Sequence, residues 1–596
     1  MKKNTWDLRR LAISATDPKI KRERTHIDKK ITTFIEEWGP RVDQLSNPKT
    51  LRTALDAYEF IRATHGTEGD SGYYFWLRGK QDQTNTIIKA HKNEWEEFAT
   101  KQENRLMFFT HAIAHISPKK QASLLISPLL KPYKHFLEKL WTGARYLLSE
   151  PEEKLNDLLM GPAHGDWIDL TATLIAKSER VVYDADNKKK KLSFSQILSL
   201  LSNHKKQIRD VAGKAINEIV YQYLDIAEAE LNAILKRKKI LDEIRGFKRP
   251  DQSRYMGDDV DINTIDVLLK TVSQNNEVAR KFYKLKAKLL GKKQLAYHER
   301  NIEIATKDIK YSFTKSISLV TDVLEKLNPQ FGTIIDAFVS KHCIDVYPTT
   351  GKSGGAFCVH MNKSQPVYIL LNHTNKLQDV LTLAHELGHG INNEYMRKQN
   401  GLNYNTTLAT AEVASTFMED FVFERLIQNV SEKTMLELIM KKLDNDIATI
   451  FRQVACVQFE QELHDTYNKT GYVSKEVIGK LFSKHMSAYM GAAIEQSPGS
   501  QNWWVHWSHI RRFFYNYSYA HGLLISKALQ ARVRNDHTYI TQIEQFLSAG
   551  TSQSPHKIFS SMGIDTSNPE FWKSGVHEVT RLLNKATALA KKLGKI

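Results

Sequence analysis

The sequence predicts a mainly α-helical protein with two subdomains and a small β-sheet. Apolar residues recur at helical spacing through most of the chain, which is the pattern of amphipathic helices. At 596 residues the chain is longer than one simple core supports, so two lobes are expected. Two regions, residues 180–194 and 343–373, instead have the short apolar runs and turn residues of strands.

Helix start and stop signals organise the first third of the chain. Asp17-Pro18 predicts a cap and the first residue of a helix, and Gly39-Pro40 predicts its end. Asn47-Pro48 predicts the start of a second helix, and Ser117-Pro118 the start of a later one. Between them, two long charged helices are predicted over about residues 82–116.

A predicted β-hairpin interrupts the helices at residues 180–194. Two short apolar runs flank the polar turn Asp184-Ala185-Asp186-Asn187 and the lysine run 188–191. We take this hairpin as the boundary between an N-terminal helical region, residues 1–180, and a second region, residues 195–596. Helices are predicted to resume over about residues 195–244 and 263–290.

Residues 343–373 predict a glycine-rich turn and two strands that lead directly into the next helix. An extended peptide could add to an exposed edge of such strands through main-chain hydrogen bonds. The alternative is a small hairpin with a purely structural role.

The helix predicted from Leu377 to Asn393 is apolar on nearly every face, which indicates a buried helix. His385, Glu386 and His389 inside it would be costly to bury unless something satisfies them. At i, i+4 both histidines face one side, so they could bind one Zn²⁺ with Glu386 beside them as the general base of a metallopeptidase. The alternative is a pair of core histidines with ordinary hydrogen bonds.

Glu412, in the stretch Thr410 to Glu419, is the predicted third zinc ligand, which leaves the fourth position for water. Glu419 lies two helical turns further on and could accept a proton from a ligand imidazole. An exposed helix glutamate is the alternative for Glu419.

The stretch Trp503 to Gly522 is rich in aromatic residues and histidine. Tyr515 and Tyr519 are spaced i, i+4, which places them on one face of a predicted helix. A hydroxyl or imidazole near zinc could donate a hydrogen bond to the oxyanion of peptide hydrolysis, and aromatic walls suit peptide side chains. An aromatic core helix is the alternative.

Composition argues against several other classes. There are 85 Lys and Arg against 67 Asp and Glu, a net charge of +18, but the basic residues are dispersed along helices, so nucleic-acid binding is not expected. The 3 cysteines are scattered and form no C-x-x-C, so neither a disulfide framework nor a cysteine zinc site is expected. No apolar run follows the first lysines, so a soluble cytoplasmic protein without a membrane partner or an obligate protein partner is expected.

Several motifs together resemble the oligoendopeptidase F branch of the thimet-type zinc oligopeptidases, and the likeness runs from end to end. The matching stretches are Trp6-Asp7-Leu8, Gly354 to Cys358, Tyr368 to Asn372, Thr382 to Gly390, Ala411 to Phe417 with Glu419, His509 with Tyr515, Tyr517, Tyr519 and Gly522, Phe546 to Gly550, and Met562 to Asp565.

This resemblance implies a zincin-like, mostly helical fold. Two helical halves would enclose a deep channel with one zinc ion on its floor and a small sheet beside the metal helix. An oligoendopeptidase F N-terminal-like region would begin at about residue 111, and residues 195–596 would form the catalytic region. Family members cleave short peptides and spare folded proteins.

The resemblance also implies residue roles. His385, His389 and Glu412 would bind zinc, and Glu419 would accept a hydrogen bond from a ligand imidazole. Catalysis would fall to Glu386 and to His509 with Tyr515 or a neighbouring tyrosine. The substrate-binding residues would be Gly354, Gly355, Ala356, Tyr517 and Tyr519. Three features depart from the family pattern: Arg511-Arg512, His521, and a linker without proline between His389 and Glu412.

The predicted function is therefore zinc-dependent endopeptidase activity on short oligopeptides. Glu386 would take a proton from a zinc-bound water and pass it to the leaving amine. One alternative is a zinc carboxypeptidase or dipeptidase, in which Arg511 or Arg512 clamps a terminal carboxylate. Another is a catalytically inactive peptide-binding protein, although the intact Glu386 argues against it. The two-His, one-Glu set would also admit cobalt or manganese.

Overall fold

The structure is a computed structural model that describes residues 4–184, 186, 188–304 and 309–596. It is mostly helical with small sheets, which confirms the predicted fold class. Within the described residues, no helix is both long enough and apolar enough to span a lipid bilayer.

The α-helices of the described residues are, in chain order, α1 Pro18–Trp38, α2 Pro48–Thr64, α3 Gly69–Gln81, α4 Thr86–Ala114, α5 Pro118–Leu125, α6 Lys134–Ala144, α7 Glu150–Met160, α8 Asp166–Ala176, α9 Phe194–Ser199, α10 Lys206–Gln222, α11 Leu224–Arg245, α12 Gln252–Gly257, α13 Ile262–Gln274, α14 Glu277–Leu289, α15 Phe313–Leu327, α16 Pro329–Ser340, α17 Leu377–Met396, α18 Leu408–Ile427, α19 Glu432–Ile447, α20 Gln453–Thr470, α21 Lys475–Met490, α22 Tyr517–Asn535, α23 Ile540–Ala549, α24 Pro555–Ser561 and α25 Pro569–Lys592. The strands are β1 Glu179–Tyr183, β2 Lys189–Ser193, β3 Leu295–Ala296, β4 Ile344–Asp345, β5 Phe357–Val359, β6 Tyr368–Leu370 and β7 Ile494–Glu495.

Two compact units make up the chain. The first comprises residues 1–145, 308–426 and 532–563, and the second comprises residues 146–307, 427–531 and 564–596. Each unit is therefore assembled from three separate stretches of sequence. The predicted division near residues 180–195 lies within the first stretch of the second unit, so it does not coincide with a border between the compact units. The division into an N-terminal region and a catalytic region stays a prediction.

Capping explains where the first helices begin. The Asp17 carboxylate accepts a hydrogen bond from the Lys19 N–H, and the Asn47 side chain accepts from the Lys49 N–H. These contacts satisfy N–H groups that a helix start leaves without a partner. They confirm the predicted starts of α1 and α2.

Other helix boundaries differ from the prediction. The region predicted to hold two charged helices forms the single helix α4. The helix predicted over residues 263–290 divides at Asn275 and Asn276 into α13 and α14, because asparagine side chains favour helix ends. Helix α3 is absent from the prediction. Its 3 glycines and its run of aromatic residues do not place apolar side chains at helical spacing.

The predicted hairpin is confirmed. Strands β1 and β2 pair antiparallel with Glu179 opposite Ser193 and Tyr183 opposite Lys189. The predicted turn residues Ala185 and Asn187 lie outside the described residues.

A three-stranded sheet in the first unit has the strand order β4-β6-β5. Strand β6 is buried and central, parallel to β4 and antiparallel to β5, so β5 is an edge strand. Strand β4 was not among the two predicted strands because it is only two residues long. The Trp6 indole N–H donates to the Ile369 carbonyl oxygen at 2.8 Å, which ties the start of the chain to this sheet.

Helix α17 packs directly on this scaffold. A side chain at Gly390 would meet the Phe338 ring of α16 at 2.8 Å and Ile369 of β6 at 3.4 Å. The glycine therefore lets the helix lie close to both elements. The Asn392 side-chain amide donates to the Leu547 carbonyl oxygen of α23 at 2.9 Å, which fixes the other side.

Candidate active site

Helix α17 is buried as its apolar pattern predicted. Five of its apolar residues are fully buried: Val380, Leu383, Ala384, Leu387 and Ile391. The two histidines of the same helix, by contrast, keep part of their side chains accessible, at 26% for His385 and 22% for His389. The helix therefore presents one polar strip on an otherwise buried surface.

Gly388 lies between the two histidines and faces α18. A Cβ atom at this position would lie 2.7 Å from the Ser415 Cα and 3.0 Å from the Ala414 carbonyl oxygen. Such distances are well inside van der Waals contact, so only glycine allows α17 and α18 to pack this closely. This close packing brings Glu412 of α18 to the histidines of α17.

The three predicted metal ligands converge. The Glu412 Oε2 lies 3.2 Å from the His385 Nε2 and 3.6 Å from the His389 Nε2. One ligand atom from each residue lies within 4.8 Å of the other two. Tetrahedral zinc with ligands at about 2.0–2.1 Å places its ligand atoms about 3.3 Å apart. Both the donor set and its spacing therefore fit a zinc ion.

Glu419 contacts His385 on the side of the ring that faces away from Glu412. Its Oε2 lies 3.1 Å from the His385 Nδ1, the ring nitrogen that faces away from Glu412. A carboxylate in this place fixes the tautomer and the orientation of a ligand imidazole. The Ser415 hydroxyl similarly donates to the Glu412 carboxylate at 3.0 Å and restrains it.

The electrostatics of the cluster favour a positive charge. Burial alone would lower the pKa of His385, but Glu412 and Glu419 raise this pKa to about 10. Burial likewise opposes ionisation of Glu412, yet its hydrogen bond from His385 and the nearby His389 hold its pKa at about 2. Burial lowers the pKa of His389 to about 4, which leaves its nitrogen lone pair available at neutral pH. A divalent cation bound here would balance the negative charges of Glu412 and Glu419.

Glu386 is 6% exposed and lies beside the metal ligands. Burial raises its pKa to about 7, while a backbone hydrogen bond from Cys358 opposes the shift. Cys358 belongs to edge strand β5, and its sulfur accepts a hydrogen bond from the Asn393 side-chain amide of α17 at 3.5 Å. A carboxylate with a pKa near the working pH is well suited to accept and return a proton.

The glycine-rich turn lies before the edge strand. Gly354 and Gly355 are exposed, and a Cβ atom at either position would meet nothing within 4 Å. The Asn372 side-chain amide donates to the carbonyl oxygens of Ser353 and Gly355, at 2.9 and 2.7 Å, and holds the turn in place. The two glycines thus leave open space beside the backbone of the turn. Ala356, between this turn and β5, is half-buried.

In the second unit, three aromatic side chains form one cluster. The His509 Nε2 lies 3.2 Å from the Tyr519 hydroxyl oxygen. The Tyr515 ring centroid lies 5.9 Å from that of His509 and 5.5 Å from that of Tyr519. Burial and the cationic side chains of Arg512 and Arg452 lower the pKa of His509, which favours the neutral form of this imidazole.

Two predictions about this stretch are wrong. Tyr515 and Tyr519 do not share one helix, because α22 begins at Tyr517 after Phe513 and Phe514 adopt positive φ angles of 43° and 55°. Tyr517 is fully buried, and its hydroxyl donates to the Asp258 carboxylate at 2.8 Å. This position is incompatible with the predicted substrate contact by Tyr517.

Comparisons with known proteins agree with this geometry. The model of Peptidase family M3 matches residues 199–578, which is more than half of the chain. The chain belongs to peptidase family M3. A second model, Oligopeptidase F, matches residues 113–177. Together these matches identify an M3 metalloendopeptidase similar to oligoendopeptidase F, as the motifs predicted.

The individual proteins that this chain resembles are distant from it in sequence. Oligopeptidase PepF of Bacillus subtilis is 24% identical over 512 residues, which cover 83% of this chain and 75% of that protein. A Chlamydophila abortus protein described as a peptidase shares the fold with a TM-score of 0.86 at 20% identity, covering 98% of both chains. Oligoendopeptidase-F from Enterococcus faecium has a TM-score of 0.69 at 16% identity, covering 96% of this chain and 99% of its own.

Two departures from the M3 motif pattern have structural explanations. The Arg511 guanidinium is buried and pairs with both oxygens of Glu230 at 2.8 and 3.0 Å, so it cannot clamp a substrate carboxylate. The neighbouring Arg512 is exposed. His521 is buried, with its ring centroid 5.3 Å from that of Trp572, and belongs to the core of the second unit.

Sequence reasoning missed several residues that hold the predicted site residues within each unit. In the first unit these are Ser415, Cys358, Asn372 and Asn393, which hold the ligands, the base and the glycine turn. In the second unit it is Glu460, which contacts residues 509–519, the His509 segment. The signal available for Cys358, Asn372 and Ser415 was their place in the stretches that carry the family resemblance. Glu460 is followed by Gln461 and Glu462 in α20, so its sequence context gave no sign of burial.

Proposed function

We propose that this M3 metallopeptidase is a zinc endopeptidase that hydrolyses short oligopeptides with Glu386 as its general base. The observation that carries the proposal is the convergence of His385, His389 and Glu412 to within 4.8 Å of one another. The names of the relatives, oligopeptidase and oligoendopeptidase, support oligopeptides as the substrate class.

We expect one zinc ion per chain, held by the His385 and His389 Nε2 atoms and a Glu412 oxygen. Zinc bound there supplies Lewis acidity, which polarises the scissile carbonyl group and lowers the pKa of a water molecule. Glu419 keeps the His385 ring in place through Nδ1, at 3.1 Å.

Glu386 performs the proton transfers in this mechanism. Its carboxylate accepts a proton from the attacking water and then delivers it to the amine of the leaving peptide. A pKa of about 7 lets the same group act as base and then as acid near neutral pH. The Cys358 backbone hydrogen bond holds the carboxylate in one orientation during both transfers.

His509 and Tyr515 are proposed to stabilise the oxyanion. Negative charge develops on the carbonyl oxygen as water attacks, and preorganised donors are worth most at that moment. If the Tyr519 hydroxyl donates to the His509 Nε2, the neutral ring carries its proton on Nδ1 and can donate it. Tyr519 would then orient His509, and Tyr515 would supply a second donor from the same cluster.

Substrate binding is assigned to the edge of the small sheet. Strand β5 has a partner on one side only within its sheet, and the preceding turn at Gly354, Gly355 and Ala356 leaves room for a peptide backbone. An extended oligopeptide can add to such an edge through main-chain hydrogen bonds, which accept many sequences.

Digestion of a peptide library, read by mass spectrometry with and without a chelator, tests the proposal. The library contains peptides of graded length, each in a free form and in a form blocked at both ends. We expect chelator-sensitive internal cuts in short peptides of both forms. Cutting of free ends alone would favour the carboxypeptidase alternative, and no cutting with zinc bound would favour a peptide-binding protein.

A further inference from the structure

Two consecutive strained residues precede Tyr515. Phe513 and Phe514 have φ angles of 43° and 55°, in the left-handed region that bulky residues rarely adopt. Such conformations persist only where the surroundings impose them, and they cluster at functional sites. The contacts that impose this conformation therefore also fix where the Tyr515 ring lies.

Glu460 of α20 supplies the central contacts. It is fully buried, and its Oε2 accepts a hydrogen bond from the Phe514 backbone N–H at 2.6 Å. Its Oε1 accepts from the Asn516 side-chain amide at 2.9 Å. One carboxylate thus binds the residue before Tyr515 and the residue after it.

A buried carboxylate is costly, and packing alone does not explain it. Among the residues that the structure describes, no lysine or arginine forms an ion pair with Glu460, and the charge of Arg254 only partly offsets the effect of burial on its pKa. An apolar side chain would fill the same space at lower cost. What the carboxylate adds is two acceptor oxygens aimed at the His509 segment.

Other side chains hold the rest of the segment. The Arg254 guanidinium donates to the Arg512 carbonyl oxygen at 3.1 Å. The His464 ring, four residues after Glu460 on the same helix, packs on both phenylalanine rings, with centroid distances of 5.0 and 4.8 Å. These contacts leave the Phe514 N–H to Glu460. The Asn516 amide donates to Glu460 at 2.9 Å and also to the Cys456 sulfur at 3.1 Å.

We infer that Glu460 is a positioning residue for catalysis: by binding the Phe514 N–H and the Asn516 amide, it holds Tyr515 beside His509 and Tyr519. This inference rests on the proposed function, because it assigns Tyr515 a role in the reaction. Glu460 itself touches no reacting atom.

Glu460→Gln tests the inference with minimal change in shape. Glutamine has one acceptor oxygen and one NH₂ group, so one of the two donors would face another donor. We expect kcat to fall by roughly 10-fold or more with KM within about 3-fold of wild type and zinc content unchanged. The matched control is Glu299→Gln, which alters a buried glutamate of the same unit that pairs with Arg209 and does not contact the segment.

A double-mutant cycle with Tyr515→Phe separates positioning from general structural damage. If Glu460 acts through Tyr515, Glu460→Gln should cost little further kcat in the Tyr515→Phe background. Asn516→Ala, which removes one of the two donors, should show the same pattern and serves if Glu460→Gln does not fold. Additive losses, an unchanged kcat in Glu460→Gln, or an unchanged kcat in Tyr515→Phe would each overturn the inference.

Crystal structures of wild type and Glu460→Gln give a readout that does not need activity. We expect Phe514 to leave the left-handed region and the Tyr515 ring to move away from His509 in the variant only. An inactive wild type would defeat the proposed function while these structures still test the role of Glu460. An unmoved Tyr515 ring would overturn the inference even in an active enzyme.

Discussion

Gly388→Ala should separate the two helices that hold the metal ligands. The new methyl group would lie 2.7 Å from the Ser415 Cα and 3.2 Å from the Met418 Cγ. Carbon atoms in ordinary contact are about 3.5–4.0 Å apart, so α18 must move away from α17 by roughly 1 Å. The obstacle is backbone rather than a flexible side chain, so a change of rotamer cannot relieve it.

This displacement has two expected costs. Overpacking a buried contact destabilises a fold by about 1–3 kcal/mol. Glu412 lies three residues before Ser415 on α18, so its carboxylate moves with the helix and leaves the 3.2 Å distance to the His385 Nε2. Metal–ligand distances vary by only about 0.2 Å around their usual values, so we expect the zinc affinity to fall by about 10–100-fold.

The assay combines urea unfolding with zinc titration against a chromogenic chelator. The matched control is Gly143→Ala in α6, where a Cβ atom would meet nothing within 4 Å. Alanine favours a helix over glycine by up to about 1 kcal/mol, so this control should be as stable as wild type or more so, with unchanged zinc affinity. Wild-type zinc affinity in Gly388→Ala would refute the argument that this glycine sets the metal geometry.

Three further predictions follow from the same contacts. Glu419→Gln should weaken zinc binding by about 10–100-fold, because it removes the carboxylate from the His385 Nδ1; wild-type affinity in the same titration would contradict this. Glu386→Gln should keep one zinc ion by metal analysis and lose roughly 10²–10⁴-fold in kcat on a quenched peptide, and a wild-type rate would remove Glu386 as the base. Burial raises the pKa of Glu460 from 4.5 to about 7, so the folded state holds this proton to higher pH than the unfolded chain does. Its contribution should therefore lower the free energy of unfolding as pH rises from about 5 to 8, by about 3 kcal/mol in total. Glu460→Gln should flatten that part of the pH profile of urea unfolding, and an identical profile in both proteins would count against the burial of an ionisable group there.

The metal centre could be predicted from sequence because its signals are local. The i, i+4 spacing of His385 and His389 fixes their shared face in any α-helix, and the surrounding apolar residues fix its burial. The partner Glu412 could be proposed from its own helix pattern. Its distance from the histidines could not, since that depends on how Gly388 lets α17 and α18 pack.

The His509 segment shows where local reasoning ends. The i, i+4 argument for Tyr515 and Tyr519 assumed a continuous helix, whereas the strained Phe513 and Phe514 end any helix before Tyr517. The rings of Tyr515 and Tyr519 still meet, at 5.5 Å, because Glu460 and its neighbours impose the turn. Contacts between residues more than 50 positions apart carry no signal in a short stretch of sequence.

The most direct test of the account is the position of the metal itself. Crystals grown with zinc should be measured above and below the zinc absorption edge to give an anomalous difference map. We predict one peak per chain, about 2.0–2.2 Å from the His385 Nε2, the His389 Nε2 and a Glu412 oxygen. A fully occupied peak elsewhere, or no peak at these three side chains in an active enzyme, would contradict the account.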